Sequence, residues 1–111
     1  MMSQTKKLSI AFYWHMHQPV YQLTPQGDYI MPWVRLHAVK DYLDMALWVE
    51  KFERLKLNFN YVPVLLDSLI NYGNGAHDIH SRMTITPVEN LSNEDKIFIL
   101  NNFFDANYQT M

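Results

Sequence analysis

Two short branched and aromatic segments, residues 8–14 and 57–62, flank a stretch of helical spacing, and this alternation constrains the fold more than any other feature. The first, Leu8-Ser-Ile-Ala-Phe-Tyr-Trp14, has the length and composition of a buried strand. The second, Leu57-Asn-Phe-Asn-Tyr-Val62, alternates as a half-buried strand does. Between them Leu36, Val39, Leu43, Ala46 and Leu47 recur at helical intervals, which predicts a helix over residues 34–54. Strands alternating with helices pair in parallel, through a crossover that is right-handed almost without exception. Pro63 suits a first helical turn, and Val64, Leu65, Leu66, Leu69 and Ile70 continue that helix until Gly73 and Gly75. Residues 73–91 read as a polar loop. Ser92 and Asp95 form a helix-start signature, followed by Ile97, Leu100, Phe103 and Phe104 on one side.

The fold class is therefore α/β, in the order strand, helix, strand, helix, helix. Parallel sheets are normally covered on both faces, which two strands cannot achieve alone. A closed βα barrel takes ~250 residues, against 111 here. Either the chain pairs with copies of itself or it is a fragment, and the fragment is the expectation. Residues 1–7 are expected to be a disordered start and residues 8–111 the first part of a larger domain.

Apolar residues make up 49% of the chain and aromatics 14%, which excludes a disordered tail. Its 9 basic and 11 acidic residues are mixed without runs, which argues against a nucleic-acid or anionic-membrane partner. Cysteine is absent, so disulfides and thiolate metal sites are excluded. The polar start and the apolar run after it look briefly like a signal peptide. His15, His17 and Gln18 cut that run short, and no small-residue cleavage site follows. No stretch approaches the ~20 apolar residues of a membrane span, and a cytoplasmic protein is expected.

Chemistry concentrates first at His15-Met-His17-Gln18-Pro19, where the first strand ends. In α/β folds ligands sit beyond the carboxyl ends of the strands. Positions 15 and 17 share a face if the strand geometry persists. Two imidazoles and an amide there can bond several hydroxyls, while Tyr13, Trp14 and Tyr21 offer flat surfaces to a sugar ring. The plainer alternative is a pair of strand-end histidines bonded to nearby backbone. His15 and His17 could also supply two zinc ligands, but such a site needs a third, and no residue is placed to complete it. His77 and His80 have ligand-type spacing but fall in the predicted loop.

The second cluster is Met31-Pro-Trp-Val-Arg35-Leu-His37, at the end of a loop of about 18 residues where 2–6 is usual. Trp33, Arg35 and His37 are predicted to line a cleft beside His15 and His17. The structural alternative has Trp33 stapling the loop and Arg35 pairing with Asp41 or Asp44. Asn60, at the end of the second strand, is expected to cap the following helix rather than to contact ligand.

Trp14-His-Met-His-Gln-Pro19, Met31-Pro-Trp-Val-Arg-Leu-His-Ala38 with Lys40-Asp-Tyr42, Phe59-Asn60 and Val62-Pro63 resemble, in order and spacing, the N-terminus of family 57 glycoside hydrolases. The resemblance runs from about Leu8 to Asn107. It implies the N-terminal part of a (β/α)7-type barrel that cleaves or transfers α-linked glucans with retention, on substrates such as maltooligosaccharides. His17, Gln18 and Pro19 match the family's first signature, whose histidine helps form the substrate site, and His15 takes the neighbouring position. The implied substrate-binding set is His15, His17, Gln18, Trp33, Arg35 and His37. Retention uses two carboxyl groups about 5–5.5 Å apart. In the family these lie on later strands, so no residue of this chain inherits a catalytic role, and no cofactor is implied. Val20 stands where an aromatic is common, and Tyr108 where tryptophan is expected. Related α-mannosidases and polysaccharide deacetylases hold a metal near this strand with an aspartate, where this chain has Gln18. A metal-dependent hydrolase using His15 and His17, and a non-catalytic sugar-binding module, are the other readings. Nothing in the sequence fixes an oligomeric state.

Overall fold

The computed structural model describes residues 7–104 and 109. Strand β1 (Tyr13–Met16) and strand β2 (Asn58–Tyr61) pair in parallel. The register sets Tyr13 against Asn58, Trp14 against Phe59, His15 against Asn60 and Met16 against Tyr61. The predicted parallel pairing is present, but the first strand starts and ends later than residues 8–14. Among the described residues upstream of Tyr13, the ladder continues only through Asn58 N–H, which donates to the Phe12 carbonyl at 3.1 Å. Leu8, Ile10 and Phe12 are exposed there, without a neighbouring strand to hold them extended. Downstream, Val62 N–H donates to the Met16 carbonyl at 3.3 Å, so His15 lies inside the strand.

The crossover is helical from Trp33 to Lys51, in place of the predicted 34–54. It comprises α1 (Trp33–His37), a π-wound turn (Ala38–Tyr42) and α2 (Leu43–Lys51). The Leu36 amide donates to the carbonyl of buried Pro32 at 3.0 Å, which closes the first turn. Phe52 leaves the helix at φ −118°, ψ 90°. Helix α3 (Pro63–Gly73) begins as predicted, with Pro63 in the first turn and Val62 extended before it. Its inward side carries Leu65 and Ser68, and the Ser68 hydroxyl donates to the Val64 carbonyl at 2.9 Å, so its burial leaves the hydroxyl proton bonded. Met16, Val34 and Leu65 form the core, packed round by Tyr42, Met45, Phe59, Tyr61 and Tyr72 among others. The helices thus lie against the face of the sheet that carries Met16, Phe59 and Tyr61.

Residues 73–91 are not the predicted polar loop. They contain α4 (Ile79–Ile85) and a 3₁₀ turn (Val88–Asn90). Asp78 caps α4: its carboxylate accepts from Ser81 N–H at 2.7 Å, and the Ser81 hydroxyl accepts from Asp78 N–H at 3.0 Å. Gly75, at φ +94°, turns the chain between α3 and α4 in a conformation that favours glycine. Helix α5 (Asn93–Asn102) starts at the predicted reciprocal cap, with Ser92 and Asp95 bonded at 3.0 Å in both directions. The disordered start expected over residues 1–7 lies, apart from Lys7, outside the described residues, as does Tyr108.

Much apolar surface stays open. Leu36, Leu43, Leu47 and Trp48 on the crossover, Leu66 and Ile70 on α3, and Ile97 and Leu100 on α5 are all exposed. The Cα radius of gyration is 20.4 Å, where a compact domain of 100 residues has about 13 Å. The sheet and helices form one partly covered layer pair.

Candidate functional site

Alternation along the strands sorts their residues into two faces. Met16, Phe59 and Tyr61 belong to the core, so Tyr13, His15, Asn58 and Asn60 occupy the opposite, helix-free face. His15 and His17 are exposed, with their rings stacked 5.8 Å apart at 17°. Across the ladder from His15, the Asn60 Oδ1 atom is buried and lacks a hydrogen-bond partner. Asn60 does not cap α3. That position belongs to Val62, whose extended backbone lets Pro63 start the helix without a side-chain cap.

Two phenols hold Gln18. The Tyr21 hydroxyl donates to Gln18 Oε1 at 3.0 Å, and Gln18 Nε2 donates to the Tyr42 hydroxyl at 3.4 Å. Tyr42 in turn donates to the His17 carbonyl at 3.4 Å. Burial, and then the neighbouring Tyr42, push the Tyr21 phenol above its ordinary pKa, so its proton stays in place at neutral pH. The His37 ring stacks on Tyr42 at 6.0 Å, and its Nδ1 bonds Asp41. Tyr42 therefore gathers His17, Gln18 and His37 into one cluster beside His15.

Trp33 and Arg35 stand elsewhere. They line a groove of about 430 Å³ with His80, Phe98 and Phe103, and none of His15, His17 and Gln18 takes part in it. Arg35 pairs with Asp78, not with Asp41 or Asp44: Nε reaches Oδ2 at 2.6 Å and Nη2 reaches Oδ1 at 3.3 Å. Asp41 and Asp44 bond His37 and Lys40 instead. Asp78 is fully buried, which alone would raise its pKa. The Arg35 guanidinium and the Ser81 amide outweigh that and hold the carboxyl below its usual range. The Tyr72 hydroxyl also donates to Asp78, at 3.4 Å, and burial with this carboxylate pushes the phenol well up. Buried Tyr29 stacks on Tyr72 at 4.6 Å, takes a bond from Asn71 at 3.2 Å, and joins the backbone around Asp78 through His77 and Ile79.

His77 and His80 part company. His77 lies 3.4 Å from the Ser81 hydroxyl, whereas the His80 ring stacks on Phe103 at 5.2 Å and meets Phe98 edge-on at 5.4 Å. Among the described residues, no group of three or more His, Asp or Glu is arranged to hold a metal ion. None of their helices is long and apolar enough to cross a membrane. Sequence reasoning passed over Tyr42 and Asp78 as individual residues. The Asp-x-x-Ser spacing at 78–81 is the signal that could have found the second.

The geometry is that of a parallel strand–helix–strand unit with helices on one face and polar rings and amides on the other. The family model for glycosyl hydrolase family 57 matches residues 11–110, and the chain belongs to that family. At the family level it is a glycoside hydrolase of carbohydrate metabolism. No match to a curated protein or to a solved structure was found.

Proposed function

We propose that the chain forms the opening part of a retaining enzyme that hydrolyses or transfers α-linked glucans, and that it supplies one wall of the substrate cleft. The observation that carries this is the gathering of His15, His17 and Gln18 at the carboxyl end of β1, with His15 on the helix-free face, in a member of this family. Stacked imidazoles and an oriented amide offer the donors and acceptors that sugar hydroxyls need, and exposed Tyr13, on the same face as His15, offers a flat ring. His37 joins the wall through Tyr42, while Arg35 anchors the crossover to Asp78 and Trp33 borders the neighbouring groove. The catalytic carboxylates come from outside this chain, and the open apolar faces of α2, α3 and α5 are where the rest of a (β/α)7 barrel packs. A cytoplasmic setting and maltooligosaccharide substrates belong to the same reading.

The test is reducing-sugar release from maltooligosaccharides by this chain alone and by the chain joined to a downstream region of ~150 residues or more. No turnover is expected from the first, and turnover from the second. His17→Ala in the longer enzyme should lower turnover with the melting temperature unchanged. Robust release by the isolated chain would show that its own acidic residues perform the reaction.

A further inference from the structure

A glutamine amide looks nearly the same when turned by 180°, so its direction must be imposed by its partners. Tyr42 has a single hydroxyl proton and gives it to the His17 carbonyl, so toward Gln18 it only accepts. Only the Nε2 end of the amide can meet it. Tyr21 donates to Oε1 and enforces the same choice from the other end. Each phenol uses half of the capacity at its end, which leaves Gln18 one N–H and one carbonyl lone pair.

The delivery of Tyr42 is itself unusual. It is the last residue of the π-wound turn Ala38–Tyr42, and such turns recur at functional sites. An extra residue in a helical turn rotates the rest of the helix by roughly 100°, so ordinary α winding would carry residue 42 away from Gln18.

We propose that Tyr42 is a positioning residue for glycan recognition: brought to the sheet end by the π turn, it fixes the Gln18 amide so that one N–H and one carbonyl lone pair meet two adjacent hydroxyls of a glucosyl ring. The proposal rests on the glycan reading above. Adjacent ring hydroxyls can accept from the N–H and donate to the carbonyl together, and a flipped amide would exchange those roles.

A double-mutant cycle in the complete catalytic domain tests this. Tyr42→Phe keeps the ring against Tyr61 and removes only the hydroxyl. KM for maltoheptaose is expected to rise about fivefold, the size of one lost neutral hydrogen bond, with kcat little changed. In a Gln18→Ala background the same substitution is expected to add nothing further. A cost that persists undiminished in that background overturns the clamp and leaves the glycan reading standing. An active enzyme indifferent to Gln18→Ala likewise overturns the clamp alone, whereas a complete domain that does not turn over maltoheptaose overturns the glycan reading and the clamp with it. The Gln18 side-chain amide protons give a readout independent of turnover: their exchange with solvent should be slower in the wild type than in Tyr42→Phe. Equal exchange rates would also overturn the proposal.

Discussion

Asp78 is fully buried, and its two oxygens meet Arg35, Tyr72 and the Ser81 amide, while Leu66 and Ile70 on α3 stand 45% and 61% exposed. The first region joins the crossover, α3 and α4 through bonds made wholly inside this chain. In the second, the apolar side of the same helix is turned to water. The contrast separates what the chain can stabilise by itself from what it presents to something else. A polar knot needs only its own partners, whereas an apolar stripe gains stability only when another surface removes it from water.

The largest effect that probes this contrast comes from two adjacent leucines of α3. Leu65 is 0% exposed and Leu66 is 45% exposed. In urea unfolding, Leu65→Ala should cost about 3 kcal/mol, as core truncations do. Leu66→Ala should cost about 2 kcal/mol if further chain covers that side. A cost within about 0.5 kcal/mol would mark the side as true surface.

Next comes the knot itself. Asp78→Asn keeps the shape and removes the charge facing Arg35. The expected loss at neutral pH is about 2 kcal/mol, below the range for wholly buried pairs because the Arg35 side chain is 35% exposed. The folded pKa of Asp78 lies below its unfolded value, so its contribution is present above pH ~4 and fades as pH falls through the lowered folded value. Stability curves of wild type and Asp78→Asn should therefore converge in acid. Curves that stay parallel would remove the charge from the account.

The smallest effect is at an exposed cap. Ser92→Ala should cost about 1 kcal/mol, the usual value for an N-cap, and should fray the first turn of α5 in hydrogen exchange. Unchanged protection there would mean that packing, not the cap, fixes where α5 starts.

How far the sequence reached mirrors the same division. Parallel pairing, the crossover and the starts of α3 and α5 were legible, because each rests on local signals: branched strands, Pro63 after an extended residue, Ser92 opposite Asp95. Helix α4 was not, since Ile79–Ile85 has little apolar periodicity and is fixed by Asp78, whose partners Arg35 and Tyr72 come from other elements. The π turn was hidden too, because apolar spacing reports the ordinary period of about 3.6 residues per turn and not a local departure from it. At the candidate site, the grouping of His15, His17 and Gln18 followed from strand-end position. The separation of Trp33 and Arg35 from His37 depends on which side of one helix meets Asp78, and spacing alone does not carry that.

A parallel pair cannot form while its second strand is still being made. At ~5–20 residues per second of synthesis, β1 waits a few seconds after leaving the ribosome before Asn58–Tyr61 emerges behind it. The helical crossover needs only about a microsecond to form, so it can wind while the strand is still alone and shorten the span to be closed. Tyr13 and Trp14 remain 65% and 42% exposed even after pairing, so what pairing satisfies is the backbone of β1 and not these rings. The pace of translation past Tyr61, more than any barrier within β1, then sets how long the backbone edge of β1 stays unpaired.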